Sequence, residues 1–130
     1  MEVEKIMVKD VLVVGPETPI SMVVKILAIR KITGVPVVDE NKKLLGVISE
    51  KDVMHLLLAS GSDLLTMKAE DFMTKDVAIF EPDVDVNEIC KFLMDKPFRR
   101  VPIVSDGCLK GIVSRADIIK LLWKEKFEEH

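Results

Sequence analysis

Histidine, cysteine and tyrosine are almost missing from this chain. Its 130 residues include two histidines, two cysteines, one tryptophan and no tyrosine. Cys90 and Cys108 stand alone without Cys-x-x-Cys spacing, which argues against a zinc site and against a disulfide framework. The histidines are His55 and the last residue, His130, so general acid–base chemistry has few carriers. There is no Gly-x-x-x-x-Gly-Lys phosphate loop, no Gly-x-Gly-x-x-Gly turn and no His-Glu-x-x-His pair. Asp83-Val84-Asp85-Val86-Asn87 opens like a calcium loop, but such a loop needs Gly at its sixth position and Glu at its twelfth. Glu88 and Met94 stand there instead, so these acids read as a turn and a helix start. No apolar run approaches the ~20 residues that cross a bilayer. The first residues, MEVEKIMV, carry acids and no apolar stretch, unlike a secretory leader. A non-catalytic, cytoplasmic protein is the expectation.

Apolar residues make up 48% of the chain, enough for a real core, and the formal net charge is −3. That sign does not attract polyphosphate, so nucleic-acid binding would need a local basic patch. What the chain does have, it has twice. LLGVISEKDVMHLL (Leu44–Leu57) and LKGIVSRADIIKLL (Leu109–Leu122) follow one pattern. Self-comparison extends the match. Met7 pairs with Met73, Asp10 with Asp76, Val11 with Val77, Pro16 with Pro82, Leu27 with Leu93 and Pro36 with Pro102, all at an offset of 66. Past a turn the offset is 65, pairing Gly46 with Gly111, Ser49 with Ser114 and Asp52 with Asp117. One deletion in that turn accounts for the change.

Each copy reads as β-α-β-β-α. Val11–Val14 and Val77–Phe80 are β-rich runs. In the first copy Thr18 is placed as an N-cap with Pro19 at N1; in the second Asp85 caps, and Pro97 ends the helix. Val35–Asp39 and Val101–Ser105 are buried strands, each paired in a hairpin with the strand that ends on Ser49 or Ser114. The expected fold is α+β (α/β-like): an internal duplication forming two small sheets packed with pseudo-twofold symmetry. One ~60-residue copy alone buries too little surface to be secure, which favours a single module over residues 1–130. Within it the copies run over 7–62 and 73–128, joined near Ser60–Asp63.

The paired motifs GVPVVD…LLGVISEKDV and RVPIVS…LKGIVSRADI resemble a tandem pair of cystathionine-β-synthase (CBS) domains, a Bateman module, from about Met7 to Trp123. The resemblance implies a regulatory sensor, with no cofactor required, that binds AMP, ADP or ATP in clefts between the copies and signals to an effector protein. Cleft A would combine Ser114 and Asp117 with Thr18, Ile32, Thr33, Gly34 and Pro36. Cleft B would combine Ser49 and Asp52 with Val84, Phe98 and Pro102, and loses a hydroxyl where Val84 replaces Thr18. Arg99 and Arg100 are the phosphate candidates, favoured for cleft A, with Arg115 a weaker one.

Ser-x-x-Asp itself has two readings. It is a helix capping box, worth roughly 0.5–2 kcal/mol. It is also, by the resemblance, a carboxylate offered to the ribose 2′ and 3′ hydroxyls, a role that suits its two acceptor oxygens. The readings are compatible. Alternatives to the sensor are a scaffold with vestigial clefts and, less favoured, a nucleic-acid binder using Arg99-Arg100. The last helix of each copy, around Val53–Ala59 and Ile118–Trp123, is apolar beyond the stripe that one sheet covers, which points to a homodimer through these helices. Cys90 and the methionines read as core, and His55 as helix surface. S-adenosylmethionine or a dinucleotide would use the same ribose contacts, so the ligand's identity stays open.

Overall fold

The computed structural model describes residues 1–58 and 62–128. Ala59, His130 and the Ser60-Gly61 part of the expected link lie outside the described residues. The chain forms two compact units, Leu12–Val77 and Met1–Val11 together with Ala78–His130. The first unit contains helix α1 (Ile20–Arg30), strands β1 (Gly34–Val38) and β2 (Leu44–Ser49), helix α2 (Glu50–Leu58) and the short helix α3 (Ala69–Phe72). The second contains a 3-10 turn at Val3–Lys5, helix α4 (Val86–Asp95), strands β3 (Arg100–Ser105) and β4 (Cys108–Ser114), and helix α5 (Arg115–Lys126). This is the duplicated α+β unit, with one antiparallel two-stranded sheet in each half.

Burial follows the apolar pattern. All of β1 is buried, and α4 buries Val86, Ile89 and Leu93, the helical spacing of one face. Val23, Val35, Val37 and Ile48 centre the first core, while Ile89, Val101, Ile103 and Val113 centre the second. Each such side chain contributes about 1.5–3 kcal/mol by leaving water. The hairpins keep one register in both copies, Pro36 opposite Val47 and Pro102 opposite Ile112.

Those mid-strand prolines explain two features. Val47 and Thr74 exchange backbone bonds of 3.0 and 2.9 Å, as do Ile112 and Val8 at 3.0 and 2.9 Å. The groups of Val47 and Ile112 therefore point away from the prolines, and no ladder N–H is missed. On its other side Pro36 accepts from the Val14 N–H at 3.0 Å, and Val38 donates to the Val14 carbonyl at 2.9 Å. The next bond of a parallel ladder would require an N–H on Pro36, which has none. The expected strand Val11–Val14 is thus reduced to a single bridge at Val14, and Val77–Phe80 likewise to a bridge between Phe80 and Ile103 beside Pro102.

Each unit also takes in the segment that leads into the other copy. Thr74 bridges to Val47 in the first unit, and Val8 bridges to Ile112 in the second. The match extends further. The Ala69 N–H donates to the Thr18 carbonyl at 2.8 Å, and the Val3 N–H to the Val84 carbonyl at 2.8 Å. Both Ala69 and Val3 are fully buried. The repeated glycines make room for these leaders. A Cβ on Gly46 would lie 2.8 Å from the Thr74 carbonyl oxygen, and one on Gly111 would lie 2.8 Å from that of Val8.

Candidate functional site

In both units the second hairpin strand ends on a serine that begins a helix. Ser114 has extended backbone (φ −115°, ψ 168°) and caps α5. Its hydroxyl oxygen accepts from the Asp117 N–H at 3.3 Å, while Asp117 Oδ2 accepts from the Ser114 N–H at 2.8 Å and from its hydroxyl at 2.9 Å. Ser49 and Asp52 repeat this, with the N–H and hydroxyl of Ser49 reaching Asp52 Oδ2 at 2.8 and 3.0 Å and the Asp52 N–H 3.3 Å from Ser49 Oγ. The capping reading of Ser-x-x-Asp therefore holds in both copies. It also limits what the box can offer a ligand. The serine hydroxyl donates to the carboxylate and accepts from the helix, so the outer carboxylate oxygen is the remaining acceptor.

The two boxes differ there. In the first unit the Thr74 hydroxyl donates to Asp52, 3.1 Å from Oδ1 and 3.3 Å from Oδ2. In the second unit the matched position is Val8, which has no hydroxyl. Among the hydrogen bonds of the described residues, both side-chain bonds to Asp117 fall on Oδ2, leaving Oδ1 as an open acceptor on a half-buried carboxylate. The repeat alignment that pairs Met7 with Met73 also pairs Val8 with Thr74. Only the fold brings that position to the aspartate.

The residues before β1 and β3 are tied to the same helix starts. The Thr33 carbonyl accepts from the Glu50 N–H at 3.0 Å, and the Arg99 carbonyl from the Arg115 N–H at 2.9 Å. Gly34 lies opposite Ser49, and Arg100 lies opposite Ser114. The second unit therefore brings Arg99 and Arg100 beside the Ser114–Asp117 box. Arg99 is exposed and Arg100 half-buried. Gly34 is buried and carries no side chain at the position that Arg100 fills. Ile32 packs against the first core; its counterpart Phe98 is half-exposed and stacks on Phe92, ring centroids 5.9 Å apart. Pro36 and Pro102 are buried within their strands.

Thr18, Ile32, Thr33, Gly34, Pro36, Ser49 and Asp52 thus belong to the first unit, and Val84, Phe98, Arg99, Arg100, Pro102, Ser114 and Asp117 to the second. Thr18 is not the N-cap of α1. Pro19 holds that position without a side-chain cap, and Thr18 Oγ1 instead accepts from the Gly15 N–H at 3.0 Å, closing a turn. Val84 keeps the backbone turn, its N–H 3.2 Å from the Glu81 carbonyl, but not the side-chain bond. Asp85 does cap α4, accepting from the Asn87 N–H at 2.8 Å.

Arg115 has a structural task. Its guanidinium donates to the carbonyls of Leu93 and Lys96 at 2.9 and 3.1 Å, closing the C-terminal end of α4 where a cation is favoured. Cys90 is half-buried rather than core and lines a groove of about 370 Å³ with Leu93, Met94, Arg115, Ile118 and Ile119. The methionines are not core filler either: Met1, Met22, Met54 and Met94 are exposed, while Met7, Met67 and Met73 pack at the edges of the cores. His55 is exposed on α2. Among the described residues no helix is long and apolar enough to cross a membrane, and no group of three or more His, Cys, Asp or Glu side chains could hold a metal ion.

One capping box is thus built twice from a single sequence pattern; in the second unit it stands beside Arg99 and Arg100, and in the first its aspartate is engaged by Thr74. The CBS domain model matches residues 3–59 and 69–124, and the chain belongs to the CBS domain family. It is 33% identical over 118 residues to inosine-5′-monophosphate dehydrogenase of Methanocaldococcus jannaschii; the match covers 90% of this chain, which spans 23% of that protein's length. The structure of CBSX2 of Arabidopsis thaliana in complex with AMP is similar over 95% of this chain and 96% of that one, with a TM-score of 0.82 and 26% identity. The CBS domain pair of protein MJ0100, in complex with 5-methylthioadenosine and S-adenosyl-L-methionine, is similar over 94% of this chain and 99% of that one, with a TM-score of 0.78 and 28% identity.

Proposed function

We propose that this chain is a non-catalytic regulatory module that binds an adenine nucleotide and signals to a separate effector protein in the cytoplasm. The carrying observation is the Asp117 carboxylate, held by its capping box with Oδ1 open, and with Arg99 and Arg100 in the same unit. A pair of lone pairs suits a cis-diol, and guanidinium groups suit phosphate. The ligands bound by CBSX2 and MJ0100 share an adenosine-type nucleoside, which supports the same ligand class here. In this reading Ser114 and Asp117 act with Thr18, Ile32, Thr33, Gly34 and Pro36 as cleft A, while Ser49, Asp52, Val84, Phe98 and Pro102 form cleft B.

The test is a melting series with adenosine, AMP, ADP, ATP and S-adenosylmethionine. At 100 times its dissociation constant a ligand adds about 2.7 kcal/mol, a shift of several degrees for a domain of this size. A larger gain for AMP than for adenosine supports the phosphate role of Arg99 and Arg100. Identical curves across the panel would remove the sensor reading and leave the boxes as helix caps.

The module also works as a homodimer in this reading. Leu57 and Leu58 on α2 are 86% and 81% exposed, and Ile119, Leu122 and Trp123 on α5 are also open to water. Apolar faces of this kind are what a second copy covers. Sedimentation equilibrium is expected to give a dimer at micromolar concentration, and Leu57→Glu with Leu122→Glu a folded monomer. A wild-type chain that sediments as a monomer would exclude this assembly.

A further inference from the structure

We infer that Thr74 is a specificity-determining residue that closes one of the two nucleotide sites by occupying its aspartate, so that the chain has one tight site, at Asp117, and one weak site, at Asp52. The inference rests on the reading of these carboxylates as ribose acceptors given above. Thr74 Oγ1 lies 3.1 Å from Asp52 Oδ1 and 3.3 Å from Oδ2, so its hydroxyl proton is shared across the face of the carboxylate that the capping box leaves open. A ribose diol must donate to that same face. It can do so at Asp52 only in competition with a bond already made, whose loss the ligand must offset.

At Asp117 no such competitor stands among the described residues. Val8 reaches β4 through the same backbone pair by which Thr74 reaches β2. It ends in a methyl where Thr74 has its hydroxyl, and it is 48% exposed. The two leaders are thus alike in path and opposite in chemistry. The segment that differs is the leader of the opposite copy, with Thr74 in one unit and Val8 in the other. A single methyl-for-hydroxyl exchange therefore makes a duplicated site unequal without changing the duplicated motif.

The experiment is calorimetric titration of the full chain with AMP, and separately with S-adenosylmethionine. Wild type is expected to show one tight site per chain. Thr74→Val is close to isosteric, exposed and outside the helix, and it is expected to tighten the second site about tenfold, the worth of one hydrogen bond to a charged group. Adding Asp52→Ala should remove that gained site and so assign it. The reverse exchange, Val8→Thr, is expected to weaken the tight site by a similar factor. Two sites of equal affinity in wild type, or a second site unmoved by Thr74→Val, would overturn this inference while leaving the sensor reading intact. No heat with either ligand would overturn both.

Discussion

Alanine at Gly111 is expected to lower the stability of the chain by about 1–3 kcal/mol, the usual cost of forcing an extra carbon into filled space. The new Cβ would lie 2.8 Å from the Val8 carbonyl oxygen and 2.8 Å from the sulfur of Met7. The methionine can swing aside, but the carbonyl cannot move alone. It accepts from the Ile112 N–H at 3.0 Å, so relief means shifting the Met1–Val11 leader off β4. That leader carries Val3, which is fully buried in the second core. Gly46→Ala meets the Thr74 carbonyl at the same 2.8 Å and should behave alike. Gly15→Ala is the control, since the nearest atom to its Cβ would be an ordinary 3.8 Å away. Denaturant melts of the three variants decide the matter. Equal midpoints for Gly111→Ala and Gly15→Ala would mean that the leader is not held against β4.

The glycine shows what could be read from the sequence and what could not. Its repetition beside Ser49 and Ser114 marked a duplicated unit, and the hairpins, the helices and the capping boxes followed from local pattern. The reason for the glycine is not local. It makes room for residues about 30 or 100 positions away, an exchange of leaders that periodicity cannot reveal. Val11–Val14 reads as a strand because β-branched residues favour one, yet Pro36 cuts its ladder to a single bridge. Thr18 before Pro19 carries the N-cap signal, but the hydroxyl satisfies the Gly15 N–H instead. Arg115 sits inside Ser-x-x-Asp, where a phosphate role is plausible on charge alone. Its partners, the Leu93 and Lys96 carbonyls, lie 22 and 19 residues away on another helix. For Val11–Val14 and Arg115 the deciding partner lies far along the chain, and for Thr18 it lies only three residues back.

The carboxylates can be separated into their two roles by substitution. Asp117→Ala is expected to lose the whole ligand-induced gain in melting temperature, together with about 1 kcal/mol of stability from the broken capping box. The two losses are distinct, because the first appears only with nucleotide present. Asp117→Asn divides them further. Its amide oxygen can still accept from Ser114, so most of the cap survives. The NH₂ group then replaces the open Oδ1 and presents a donor to hydroxyls that also need to donate. Asn is therefore expected to melt near wild type without ligand and to gain little with it. Asp52→Ala breaks the matching box and releases Thr74, yet should keep most of the gain, because its carboxylate is already engaged. Melting curves of the three variants with and without saturating AMP read all of these differences at once. An undiminished gain in both Asp117 variants would assign that side chain to the helix alone, and the nucleotide, wherever it binds, would not be held through Asp117.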